Sequence, residues 1–178
     1  MSGGRWGLWL RRLGKNFLYS IPVTIAFLDS VGYVAKVEGI SMQPSLNPED
    51  QKTNDYVLLN KWAIRNFKVQ HGDIVALTCP RDADQKLIKR VIAVEGETIR
   101  CSDRRRYVSI PMGHCWVEGD HVTHSMDSNY FGPVSTGLIF AKASHIVWPP
   151  SRWQKLDNEA VQTDRQPIPC PRRSWEAE

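Results

Sequence analysis

A chain of 178 residues has room for one domain with appendages, and for a hydrophobic core that needs neither disulfides nor metals. With 42% hydrophobic and 24% charged residues and a negative mean hydropathy, it is neither a disordered chain nor a multi-span membrane protein. The 23 Lys and Arg against 19 Asp and Glu leave a formal charge of +4, too small an excess to argue for a nucleic-acid partner by itself.

The charge is uneven along the chain. Arg5, Arg11, Arg12 and Lys15 all precede the first acid, Asp29, so residues 1–15 read as a basic leader. Residues 16–36 follow as a candidate membrane anchor. Asp29 is the single charge in NFLYSIPVTIAFLDSVGYVA, and a helix over these residues would cover roughly 30 Å, one hydrocarbon core. The basic flank would keep the N-terminus on the positive-inside face. Asp29 past the midpoint and Pro22 near the start are costly in a span. A cleavable secretory signal, a mitochondrial targeting segment and a buried core helix remain open on composition alone.

Residues 37–150 are punctuated by turn signals such as His71-Gly72-Asp73, Cys79-Pro80-Arg81-Asp82 and Glu95-Gly96-Glu97. Between the turns lie short β-rich runs at Asp55–Asn60, Asp73–Thr78, Ile88–Val94, Tyr107–Ile110, Cys115–Glu118 and Ile139–Val147. Many short strands with interposed Gly and Pro predict a mainly β, mostly antiparallel domain. Trp62–Val69 fits either a strand continuation or one helical turn. From residue 151 to 178 the alternating Pro167, Pro169 and Pro171 and the balanced charge read as a flexible tail, with Trp153 able to pack back on the domain. Cys79, Cys101, Cys115 and Cys170 form no C-x-x-C pair, which excludes a zinc ribbon or a thioredoxin-type motif and favours free thiols.

Three clusters could carry chemistry. Ser41 lies in Glu38-Gly39-Ile40-Ser41-Met42-Gln43-Pro44-Ser45, just past the candidate anchor. Gln43 stands where an α/β-hydrolase elbow needs its final Gly, and no Ser-x-x-Lys occurs in the chain, so neither of those serine-enzyme classes fits. Lys89 shares a strand face with Leu87, Val91 and Ala93. Desolvation on an apolar face lowers a lysine pKa and frees the amine to act as a base. The commoner alternative is an edge lysine whose stem snorkels to water. The third cluster is the polar loop from Gly119 to Pro133, holding Ser125 and Asp127. His121 and His124 there lack a third ligand at metal spacing, so no metal is expected.

The order of these motifs is similar to that of the type I signal peptidase family of Ser/Lys proteases. The matching pieces are Ser41-Met42-x-Pro44-Ser45, Gly72-Asp73-Ile74-Val75, Lys89-Arg90-Val91-Ile92-Ala93 and Gly119-Asp120 with Ser125 and Asp127-Ser128. Glu38-Gly39, Leu58-Leu59-Asn60, Trp116-Val117-Glu118-Gly119-Asp120-His121 and Trp148-Pro149-Pro150-x-Arg152-Trp153 resemble the mitochondrial inner-membrane branch of that family. The resemblance implies an antiparallel β catalytic domain of the signal peptidase type behind one transmembrane helix. It implies Ser41 as nucleophile, Lys89 as general base, Ser125 as the residue orienting the lysine, and Asp127 as a support of the loop. The Ser41 backbone N–H would contribute to the oxyanion hole.

Gly39 stands where many bacterial members carry a second hydroxyl, and Asn129 stands where they carry an arginine that pairs with the aspartate. The implied activity is an anchored endopeptidase that needs no cofactor. It would remove hydrophobic sorting presequences from proteins bound for the mitochondrial intermembrane space. Preproteins, membrane lipid and a homologous first subunit are the implied partners. A non-catalytic scaffold subunit is the alternative, disfavoured by the intact Ser41 and Lys89. A nucleic-acid binder fits least, because the positive excess sits in the leader and no aromatic-basic alternation recurs.

Overall fold

The computed structural model of the chain describes residues 19–22, 24–25, 32–65, 69–101, 106–121, 123–156 and 167–169. Among these residues the fold is mainly antiparallel β. The larger sheet contains β1 (Gly32–Lys36), β2 (Tyr56–Asn60), β3 (Ile74–Cys79), β4 (Asp82–Ala93), β7 (His114–Glu118), β8 (Val134–Ser135), β9 (Ile139–Trp148) and β10 (Gln154–Lys155). Its order is β1-β2-β9-β3-β4-β7-β8, with β10 added to β9. A smaller sheet joins β5 (Glu97–Arg100), β6 (Tyr107–Ser109) and β11 (Ile168–Pro169).

β3 is the spine. Its sequence IVALTC is almost wholly apolar because core lies on both of its faces. Ile74 and Ala76 join Met42, Leu46, Val57, Leu59 and Ile146 on one side. Val75 and Leu77 join Val91, Cys115, Val117 and Val134 on the other. A third cluster around Ile99, Ile110 and Trp116 seats the small sheet.

β3 pairs with β4 in a register that sets Val75 opposite Lys89 and Ile74 opposite Arg90. The two adjacent cations of β4 are therefore sent to opposite faces. β4 pairs with β7 only at Arg90, Val91 and Ala93, so the stretch from Asp82 to Ile88 has no partner strand on that side among the described residues.

Three segments depart from expectation. Gly32–Lys36, inside the segment taken as anchor, forms β1 and pairs with β2 along its whole length. Gly32 suits that approach, since an added Cβ there would lie 2.1 Å from the Leu59 carbonyl oxygen. The rest of the expected anchor lies mostly outside the described residues. Those that are described, 19–22 and 24–25, are helical, and no helix among the described residues is long and apolar enough to cross a membrane.

The tail expected from residue 151 is docked at its start. Arg152 pairs with the buried Asp55, Leu156 packs on the first core cluster, and Leu156 N–H donates to the Ser144 carbonyl at 2.9 Å. Residues 157–166 and 170–178, including Cys170, lie outside the described residues. Finally, β5 and the polar half of β4 were not foreseen, because Glu97, Arg100 and the exposed run Asp82–Lys86 carry no alternating apolar pattern. Trp62–Ile64 resolves as a 3-10 turn. Cys79, Cys101 and Cys115 are free and buried, and burial pushes the Cys115 thiol up to about 12.

Candidate active site

Ser41 sits in a loop pinned from both ends. Met42 and Leu46 are buried in the first core cluster, and Leu46 N–H donates to the Met42 carbonyl at 2.8 Å. Asn47, at φ 52, donates from its amide to the carbonyls of Val37 at 2.9 Å and Gly39 at 3.2 Å. Its carbonyl oxygen accepts from Asp55 N–H at 2.7 Å, and Asp55 in turn accepts from Asn47 N–H at 2.8 Å. The Ser41 carbonyl accepts from His121 N–H at 3.1 Å. The nucleophile candidate is thus half-buried on a loop held by core side chains and by the polar loop after β7.

Lys89 is 2% exposed. Its face is the one predicted, with Leu87, Val75 and Val91 as neighbours in the second core cluster. Its Nζ donates to Ser125 Oγ at 3.1 Å. Burial pulls the amine below its ordinary 10.5, and the charges of Asp127 and Asp120 offset part of that by favouring the ammonium. Ser41 and Lys89 both line a cleft of about 270 Å³ whose other walls include Val37, Val57, Leu59, Ala76, Ile88 and Phe140. Lys36 and Glu38, paired at 2.8 Å, stand exposed at its rim.

Asp127 bonds to the backbone on both sides of the loop. Its Oδ2 accepts from Gly119 N–H at 3.1 Å, and its Oδ1 accepts from Asn129 N–H at 3.0 Å. Asn129 stands in for an arginine by donating its amide to Asp127 at 3.1 Å and to Glu118 at 2.8 Å. The Asn129 amide thereby joins the loop to Glu118 at the end of β7.

Several participants were not singled out from sequence. Ser128 Oγ accepts from Val117 N–H at 2.9 Å and ties the loop to β7. Arg90 donates to both Asp120 oxygens at 2.8 Å, to the Gly72 carbonyl at 3.0 Å and to Ser45 Oγ at 3.2 Å. One guanidinium thereby joins the loop of Ser41, the strand of Lys89 and the loop of Ser125. Its place next to Lys89 was the only signal in the sequence.

Among the described residues no histidine ring is hydrogen-bonded to Ser41 or Lys89; the rings of His121 and His124 instead meet the Thr123 hydroxyl at 3.3 and 2.8 Å. No group of three or more potential ligands able to hold a metal occurs among them.

The model of the family described as signal peptidase, peptidase S26, matches residues 10–109 and 104–148. A Danio rerio protein named mitochondrial inner membrane protease subunit 2 is 54% identical over 155 residues, 86% of this chain and 84% of the relative. Its namesake in Saccharomyces cerevisiae is 41% identical over 150 residues, 80% of this chain and 85% of the relative. A Schizosaccharomyces pombe protein named mitochondrial inner membrane protease subunit 1 is 35% identical over 147 residues, 76% of this chain and 91% of the relative. With its motifs, its β framework and these relatives in agreement, the chain belongs to the signal peptidase family, peptidase S26, and is a serine protease of that type.

Proposed function

We propose that this chain is a catalytic subunit of a mitochondrial inner membrane protease, with Ser41 and Lys89 as its dyad. The observation that carries the proposal is the buried Lys89 amine, bonded to Ser125 and facing the same cleft as Ser41. The reaction uses the neutral form of the amine, toward which burial biases Lys89. Ser41 Oγ attacks the scissile carbonyl and passes its proton to Lys89 Nζ. Asp127 and Asp120 favour the ammonium that forms. Ser41 N–H donates to the developing oxyanion. The ammonium returns its proton to the departing amine, leaving Ser41 as an ester of the upstream segment. Lys89 then takes a proton from water, whose hydroxide attacks the ester and restores Ser41.

The cleft suits an extended substrate. The side of β4 before Lys89 that has no partner strand among the described residues offers backbone donors and acceptors for strand addition, and the apolar walls suit small upstream side chains. The names of the relatives support the mitochondrial inner membrane as location and a homologous first subunit as partner; the substrates of this proposal are hydrophobic sorting presequences. The part of the expected anchor that precedes β1, residues 16–31, would hold the chain in the membrane, with the basic leader in the matrix and Ser41 facing the intermembrane space. Co-anchoring with the presequence raises the local concentration of the cleavage site.

The test replaces Ser41→Ala and Lys89→Ala separately in mitochondrial membranes and follows presequence removal by N-terminal sequencing. Each variant should stay membrane-bound and assembled yet fail to process. Normal processing by either one removes the dyad. Extraction by alkaline carbonate of the full chain, and not only of a form starting at Gly32, removes the anchor.

A further inference from the structure

We infer that a second cavity, behind the Ser41 loop, is a binding site for a phosphate group held between Arg90, Arg152 and Lys155. The cavity measures about 310 Å³ and lies between Pro44-Ser45, Ile74 of β3 and Arg90 of β4 on one side and Gln154–Leu156 on the other. It shares no lining residue with the cleft of Ser41 and Lys89, so the site stands apart from the proposed dyad. Its volume falls at the small end of ligand pockets, roughly 300–1,000 Å³, and suits a phosphate with a small substituent.

Three cations reach this cavity from three elements: Arg90 from β4, Arg152 from the 3-10 turn at Pro150–Arg152, and Lys155 from β10. No acidic side chain forms part of its wall, and the acids paired with the two arginines, Asp120 and Asp55, lie outside the lining. Arg152 spends three of its five N–H donors, through Nη1 on Gln51 and Asp55 and through Nη2 on the Ser45 carbonyl. Its Nε–H and second Nη2–H remain for a ligand. Ser45 Oγ accepts from Arg90 at 3.2 Å and keeps its own hydroxyl hydrogen to donate. Donors that converge from three directions match the tetrahedral oxygens of a phosphate better than the two coplanar oxygens of a carboxylate. Because Ser45 touches both guanidiniums, an occupied site would tie β10 to the Ser41 loop four residues past the nucleophile candidate.

The experiment melts the full chain in detergent while inorganic phosphate is titrated against chloride at equal ionic strength. Phosphate should raise Tm to a plateau, as a ligand of the folded state does. Lys155→Gln should raise the half-saturating phosphate concentration about tenfold, the worth of one charge-assisted bond. Lys86→Gln, at an exposed lysine outside the cavity, should titrate as wild type. Phosphate should also slow amide exchange at Ser45, Leu46 and Gln154–Leu156. A second arm places the chain in nanodiscs of phosphatidate or of phosphatidylcholine without added phosphate. A gain of Tm in phosphatidate that Lys155→Gln loses assigns the site to a lipid headgroup, and a gain from inorganic phosphate in detergent alone assigns it to a soluble phosphate. If Lys155→Gln does not fold, Gln154→Glu decides by setting a negative charge in the same wall: a lost phosphate effect supports the inference and an unchanged titration overturns it. No saturable gain in either arm overturns it, as does a gain that Lys155→Gln leaves unchanged or exchange protection that maps elsewhere.

Discussion

Lys89 Nζ and Ser125 Oγ lie 3.1 Å apart across 36 residues of chain, joining the middle of β4 to the loop after β7. A lysine has three rotatable donors on a flexible stem, so burial alone does not aim it. The serine hydroxyl fixes where the amine points. Ser125→Ala should therefore leave the lysine buried but poorly aimed, lowering kcat by about 10²-fold with little change in KM. Steady-state kinetics on a presequence peptide check this. An unchanged kcat would show that Ser125 does not orient the base.

The depressed Lys89 pKa makes two linked predictions about pH. With Lys89 as the proposed base, activity requires the neutral amine, so the rate should fall as pH drops through the folded-state value, which lies below 10.5. Stability follows the same proton. The unfolded lysine binds its proton at higher pH than the folded one, so the folded state loses ground as pH falls from 10.5 toward the folded value. Lys89→Met removes that penalty. It should be inactive, yet melt above wild type at neutral pH, with the gap closing as pH approaches 10.5. Melting at or below wild type at neutral pH would mean that Lys89 carries no desolvation cost.

What the sequence discloses depends on where each signal lives. The face of Lys89 was legible because strand alternation is local and its neighbours Leu87 and Val91 are apolar. β2, β3, β7 and β9 were legible for the same reason. β1 was not, because GYVAK reads equally well as the end of an apolar run, and only its pairing with Tyr56–Asn60 decides the matter. Arg152 was hidden in a stretch dominated by Pro and charge, since its partner Asp55 lies 97 residues earlier.

Arg152 and Asp55 give a prediction about the scaffold under Ser41. Asp55 is fully buried, and Arg152 Nη1 meets it at 2.5 Å while Nη2 donates to the Ser45 carbonyl at 2.9 Å. Arg152→Met strands a buried carboxylate and should cost about 3 kcal/mol of unfolding free energy. Arg152→Met/Asp55→Leu removes both charges, though it also removes the bonds from Asp55 to Asn47, so recovery should be partial. Denaturant unfolding distinguishes the cases. If the single variant were as stable as wild type, Arg152 would be a surface residue in all but position.

Asn129 tests whether a neutral amide is what this loop requires. Its Nδ2 donates to Asp127 and Glu118, two carboxylates exposed by only 5% and 6%. Asn129→Asp keeps the shape but replaces the donor with a third negative oxygen among two others. Like charges in a desolvated cluster repel, and the two carboxylates lose a shared donor, for a cost of about 2 kcal/mol or more at neutral pH. Because Asp127 also holds Gly119, presequence processing should fall along with stability. The stability deficit relative to wild type should shrink on acidification, as protonation removes the repulsion and lets one acid donate to another. Melting curves of both proteins from neutral to mildly acidic pH measure this directly. A deficit that stays constant with pH would assign the loss to shape and not to charge, and would leave the amide of Asn129 without the electrostatic role its contacts imply.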